Sequence, residues 1–311
     1  MESIKAAVIQ AGGPLFDVAA SLEKLERLAS QAANAGAQLA VFPEAFIGGY
    51  PKGHDFGAPI GSRSSEGRDW FRRYFDAAIE VPGIEAARIA DCAKENQLDM
   101  VVGVIERALP SEGGGTLYCT VLCFSAEGVL LGKRRKLMPT AAERIVWGVG
   151  DGSTLSAFKT PRARIGAVIC WENFMPMLRM SQYAQGVEVY CAPTVDDRES
   201  WGALMCTIAL EGRCFVLSAN QFMKRSDAPD DFHPIQGNDP DTVLINGGSM
   251  IISPLGEILA GPSFGKETIL YATLDHREIA RGKMDFDVAG HYARPDIFSL
   301  QIDRAHKRSV D

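Results

Sequence analysis

Apolar residues along this chain follow two rhythms, one for strands and one for helices. Ile4–Gln10 is apolar and strand-like. Across residues 21–35, Leu22, Leu25, Leu28 and Ala32 recur at three-to-four spacing, which predicts a helix. Residues 38–44 form a second buried strand, 84–97 a helix preceded by Gly83, and 99–106 a further strand. The rhythm then changes. Residues 116–125 and 129–136 flank Ala126-Glu127-Gly128, a pattern that predicts a hairpin. Strand patterns at 165–170, 187–192 and 214–220 alternate with helical ones at 177–185 and 201–213. A second hairpin pair closes the chain, from 248–253 and 258–259 to 268–275. Residues 222–246 are polar and rich in Asp and Pro, which predicts a long surface loop of the kind that often carries function.

Helical crossovers therefore mix with antiparallel hairpins in both halves. This predicts an α/β protein with two packed sheets and helices outside them. No composition shift or Gly/Ser linker divides the chain, so 1–311 reads as a single domain.

Composition narrows the function classes. Apolar residues make up 46% and charged residues 23%, which suits a soluble globular domain with its own core. A net charge of −7 argues against a nucleic-acid partner. The one basic block, Lys133-Arg134-Arg135-Lys136, lies inside a strand-like segment. Met1 to Gln10 has no secretory pattern, and no apolar run approaches the ~20 residues of a membrane span. The cysteines, at 92, 119, 123, 170, 191, 206 and 214, are odd in number and form no Cys-x-x-Cys pair. The expectation is reduced thiols in a cytoplasmic protein, with no metal site.

Three strands end in chemistry. Ile165-Gly166-Ala167-Val168-Ile169 delivers Cys170, Leu39-Ala40-Val41-Phe42-Pro43 delivers Glu44, and residues 129–135 deliver Lys136. A charged group at the end of an apolar strand belongs at a rim, because burying it alone is costly. In α/β proteins such rims carry the chemistry. If these strands are neighbours, a thiol, a base and a cation meet. Each has a plainer alternative: a buried structural cysteine for Cys170, and solvated charges for Glu44 and Lys136.

These segments resemble a known family. Val41-Phe42-Pro43-Glu44-Ala45-Phe46, Arg134-Arg135-Lys136-Leu137-Met138-Pro139-Thr140 and Val168-Ile169-Cys170-Trp171-Glu172-Asn173 are similar, in order, to the three signature segments of the nitrilase superfamily. Cys-Trp-Glu-Asn is the form found in the nitrilase branch, and the resemblance covers nearly the whole chain. It implies a four-layer α-β-β-α sandwich and a Glu44-Lys136-Cys170 triad, with Glu143 completing the site. A helix-start carboxylate favoured by the dipole is the plainer reading of Glu143. The implied activity is hydrolysis of an organic nitrile to acid and ammonia through a cysteine adduct, with water as co-substrate and no cofactor. Tyr50, Trp147, Trp171, Thr194 and Trp201 lie in or beside the motifs and are candidate substrate-binding residues. The four aromatics among them suggest aromatic or arylaliphatic nitriles, with core packing as the alternative.

Two positions depart from the family pattern. Arg134 and Thr207 stand where nitrilases usually carry histidine. The apolar, irregular segment at about 282–311 suggests a surface for homo-oligomer contacts. An amidase, an N-carbamoyl hydrolase or a nitrile- or cyanide-hydrating enzyme could use the same scaffold. A non-catalytic assembly protein is disfavoured because no triad member is replaced.

Overall fold

A computed structural model describes residues 3–307. The last four residues of the predicted oligomer segment lie outside this range. The alternating pattern resolves into two sheets. The first contains β1 (Ile4–Gln10), β2 (Leu39–Val41), β3 (Asp99–Arg107), β4 (Leu117–Phe124) and β5 (Leu130–Arg135). The second contains β6 (Phe158–Lys159), β7 (Arg164–Ala167), β8 (Val189–Cys191), β9 (Phe215–Ser218), β10 (Phe222–Lys224), β11 (Val243–Ile252) and β12 (Ile258–Phe264). The chain then returns to the first sheet as β13 (Thr268–Leu274). The orders are β13-β1-β2-β3-β4-β5 and β10-β11-β9-β8-β7-β6, with β12 paired to β11.

Three apolar layers hold the fold together, as the period-2 alternation of strand side chains requires. Val8, Val41, Val101, Val121, Ile165, Val189 and Leu217 meet between the sheets. Ala7, Ile9, Ala40 and Val102 face outward against Leu25 and Leu28 of α1 (Val18–Asn34) and Ile89 of α3 (Ile84–Glu95). Val168, Tyr190 and Val216 face the other way, against α4 (Pro176–Tyr183) and α5 (Glu199–Gly212). This is the four-layer α-β-β-α sandwich. Fully burying each such aliphatic side chain contributes about 1.5–3 kcal/mol. The short α6 (Arg277–Gly282) follows β13. Among the described residues no helix is long and apolar enough to cross a membrane.

Several sequence expectations need correcting. The helix α2 (Ser65–Asp76) has no counterpart in the sequence reading. Six of its twelve residues are charged, and Trp70 and Tyr74, one turn apart, supply its buried apolar side chains. The Ser64 hydroxyl caps it by accepting from Gly67 N–H. The predicted loop 222–246 is irregular only in its middle, because β10 and the start of β11 pair at its two ends. The strand predicted to end at Cys170 ends at Ala167. Its hydrogen bonding nevertheless continues, with Val168 N–H donating to Cys191 O and Cys170 N–H to Pro193 O.

Strand direction positions the site. β2 runs parallel to β1 and β3. Two antiparallel pairings, β3 with β4 and β4 with β5, turn β5 parallel to β2 again. Glu44 and Lys136 therefore follow the same edge of the first sheet. In the second sheet β7, β8 and β9 are mutually parallel, and their carboxyl ends lead to Cys170, Thr194 and Asn220.

Candidate active site

The two edges face each other across the sandwich and bring the four predicted reactive residues together. Lys136 Nζ lies 2.7 Å from Glu44 Oε1 and 2.7 Å from Glu143 Oε2. Glu44, Lys136 and Cys170 are all buried. Glu143 also accepts from the Tyr50 hydroxyl at 2.8 Å and from Thr140 N–H at 2.6 Å. On the opposite sheet the Thr194 hydroxyl lies 3.2 Å from Cys170 Sγ. Glu44 Oε2 is buried without a hydrogen-bond partner among the described residues.

Backbone geometry aims these groups. Cys170 has φ +49°, in the left-handed region, as do Ala45 after Glu44 and Ala141 after Thr140. Left-handed backbone at non-glycine residues costs of order 1–3 kcal/mol and clusters at functional sites. At Cys170 the surrounding bonds enforce it. Asn173 Nδ2 donates to Cys170 O at 2.7 Å and to Val168 O at 2.9 Å, and Tyr190 in turn holds Asn173 Oδ1. On the first sheet, Gln221 Nε2 donates to Glu44 O at 2.7 Å. Gly103 of β3 lets the Glu44 turn lie close, since a Cβ there would sit 2.1 Å from Pro43 O.

Burial and charge set the resting protonation states. Burial raises the Glu44 carboxyl, Lys136 opposes that shift, and the result lies above the ordinary carboxylate value. Burial, reinforced by Glu44, pushes the Cys170 thiol well above its usual range. Burial alone would lower Lys136, but Glu44, Cys170 and Glu143 outweigh it and hold the ammonium protonated. The resting cluster is thus a protonated thiol beside an ammonium that the side chains of Glu44 and Glu143 flank.

The predicted substrate-binding residues divide. Tyr50 and Trp171 line a cavity of about 350 Å³ at Cys170, together with Lys52, Asp196, Asp197 and Arg198. Trp147 lines an adjoining cavity of about 330 Å³ that shares Tyr50, Lys52, Thr140 and Glu143. Its ring meets Tyr50 edge-on, with centroids 5.8 Å apart. The Trp171 indole N–H donates to Asp196, and the Arg198 guanidinium lies 4.4 Å from the Trp171 ring. Thr194 touches Cys170 rather than forming an outer wall. Trp201 is elsewhere: it packs between α5 and the second sheet and donates to the Ser218 hydroxyl at 2.8 Å. Its apolar spacing on α5 reports core packing, not a pocket.

Both departures from the family pattern lie off the cavity walls. Arg134 forms a fully buried bidentate pair with Glu172, at 2.9 and 3.0 Å. Glu172 also accepts from Leu137 N–H and Ile169 N–H. One carboxylate therefore ties the loop after Lys136 to the loop that carries Cys170. Thr207 is exposed on α5 and bonds only Ala203 O. Sequence reading missed the supporting roles of Glu172, Asn173 and Gln221. Glu172 and Asn173 stand within the cysteine motif, and Gln221 directly follows the predicted strand 214–220, so position was a usable signal for all three. Among the described residues no cluster of metal-ligating side chains occurs.

The comparisons with known proteins agree with this geometry. A family model for carbon-nitrogen hydrolases matches residues 5–283. A nitrilase from Bradyrhizobium diazoefficiens is 56% identical over 306 residues, covering 98% of this chain and 94% of its own. A bifunctional nitrilase/nitrile hydratase from Lupinus angustifolius is 55% identical, covering 96% and 86%. An aliphatic nitrilase from Sinorhizobium fredii is 53% identical, covering 100% and 99%. The crystal structure of Nit3 from Saccharomyces cerevisiae, described as a member of branch 10 of the nitrilase superfamily, superposes with TM-score 0.71 at 21% identity, covering 94% and 97%. The sandwich and the matched residues define the class: the chain belongs to the carbon-nitrogen hydrolase family. Within that family, its identity to several relatives places it with the nitrilases.

Proposed function

We propose that this protein hydrolyses an organic nitrile to the carboxylic acid and ammonia, using Cys170 as nucleophile, Glu44 as base, Lys136 as charge stabiliser and Glu143 as the group that orients the lysine. The observation that carries this reading is the Lys136 ammonium held between Glu44 and Glu143, beside a thiol at a left-handed turn. As Sγ attacks the nitrile carbon, the thiol proton passes to Glu44 Oε2, the oxygen left without a partner. One C≡N π bond becomes an N–H bond with that proton, giving a thioimidate. Lys136 Nζ and the Trp171 backbone N–H stabilise the developing negative charge on nitrogen. Water deprotonated by Glu44 then adds to the carbon, ammonia leaves, and a second water cleaves the thioester to release the acid and the thiol. Expulsion of the thiol instead of ammonia at the first tetrahedral stage would give the amide.

The substrate reading is aromatic or arylaliphatic, with the ring against Tyr50 and Trp147. A polar aliphatic nitrile is a second reading. Lys52, Asp196, Asp197 and Arg198 beside Cys170 favour it. The protein would act as a homo-oligomer in the cytoplasm. Exposed Met284, Tyr292 and Phe298 in the segment 282–311 support that assembly.

A panel of aryl, arylaliphatic and aliphatic nitriles, with the matching amides, tests both levels. Acid and ammonia should form from nitriles, and intact-mass spectrometry should show a covalent acyl adduct. Cys170→Ala should lose both. Retained turnover by that variant would end the proposal, and turnover of amides alone would replace it with an amidase.

A further inference from the structure

A second thiol touches the proposed base. Cys119 lies on the inward face of β4, in the core between the sheets, and its Sγ is 3.5 Å from Glu44 Oε1. That oxygen already receives Lys136 Nζ at 2.7 Å, while Oε2 has no partner. The Cys119 carbonyl also accepts from Lys136 N–H at 2.8 Å. One residue of β4 thus contacts both members of the proposed base-and-cation pair. Its side chain is fully enclosed, between Glu44 and the apolar layer that holds Val121 and Cys123.

We propose that Cys119 is a positioning residue for Glu44: its thiol donates to Oε1 and so commits Oε2 to the proton of Cys170 and, later, to that of water. A carboxylate can rotate about its terminal bond, and two donors on one oxygen fix which oxygen is free. Thiol donors are weak, so the bond fixes orientation while leaving Glu44 basic. A hydroxyl at the same place would bind the carboxylate more strongly and make it a poorer base. Cys119 is not a rival nucleophile. Burial, with Glu44 and its charge alongside, holds this thiol protonated well above its usual range, which keeps it a donor.

This inference rests on Glu44 being the base, and the experiment separates the two. Cys119→Ser and Cys119→Ala are purified, their thermal unfolding is compared with the parent, and kcat and KM are measured across pH on the best nitrile of the panel. The acid limb of kcat/KM reports ionisation of the base in free enzyme. The stronger serine donor should move that limb down, and loss of the donor in the alanine variant should move it up, each by roughly half a pH unit. In both, kcat should fall several-fold with KM nearly constant, since Cys119 is enclosed in the core. Either variant suffices if the other does not fold. Folded variants whose acid limb and kcat match the parent would overturn the role of Cys119. A parent enzyme whose activity survives Glu44→Gln would instead overturn Glu44 as base.

Discussion

The strand β5 presents two buried charge clusters, one on each face, and their carboxylates are satisfied differently. On its outer face Lys133 and Arg135 converge on Glu106. Glu106 Oε2 accepts from the Thr120 hydroxyl at 2.8 Å and from Arg135 Nε at 3.1 Å, and Oε1 accepts from Lys133 and Arg135. On its inner face Lys136, just past the strand end, meets Glu44 and Glu143, and Glu44 Oε2 has no hydrogen-bond donor within reach among the described residues. Both carboxylates are fully enclosed and both face cations. Burial and ion pairing therefore do not distinguish a reactive carboxylate from a structural one. What distinguishes these two is that Glu44 has an enclosed oxygen without a donor, whereas both oxygens of Glu106 are satisfied. Every member of the basic block is thereby paired to a carboxylate of the protein, with Lys133 partly exposed and Arg134 bound to Glu172. That block is no patch for an external anion.

Substitutions can break this comparison at graded cost. Lys136→Ala should have the largest effect, lowering kcat about 10³-fold or more on nitriles, because it removes the cation aimed at the developing charge. Addition of methylamine with partial recovery of rate would localise the loss to the missing ammonium. Glu106→Gln should come next, and on a different axis. It leaves Lys133 and Arg135 facing each other without a full counter-charge, at a cost of about 3–5 kcal/mol of folding stability. The melting temperature should fall while the acid limb of kcat/KM stays in place. A shifted acid limb would mean that the outer cluster tunes the inner one. Arg72→Ala should have the smallest effect. Arg72 pairs with Asp69 and Asp76 in the open on α2. Neither melting temperature nor kcat should change measurably, as expected for solvated pairs.

Sequence pattern revealed Glu44 and Cys170 for the same reason as the strands before them: each ends an apolar run. Glu44 and Cys170 follow strands whose side chains are largely enclosed, so contrast of polarity marked them, whereas Lys136 follows Lys133-Arg134-Arg135 and was marked by its motif. Where contrast fails, the reading fails. Half of the helix α2 is charged, so its two buried aromatics do not stand out. Trp201 has the polarity of a pocket wall, and only the packing of α5 on the second sheet shows that it faces the core. Arg134 stands out in sequence only as a departure from the family pattern, because its place beside Lys136 says nothing of Glu172, 38 positions away. Cys119 sits mid-strand among apolar neighbours, where a thiol reads as one more small hydrophobe.

The Arg134–Glu172 pair makes two distant stretches of sequence into one heritable unit. Glu172 caps backbone N–H groups on both stretches, and Arg134 neutralises it where no water reaches. A recombinant that took the lysine stretch from one parent and the cysteine stretch from another would strand a buried ion unless both ends matched. Crossovers between residues 134 and 172 are therefore filtered by this contact, however similar the parents are elsewhere. Shuffling for new substrate range succeeds more readily when the interval passes intact and the exchange falls in the loops that line the cavity.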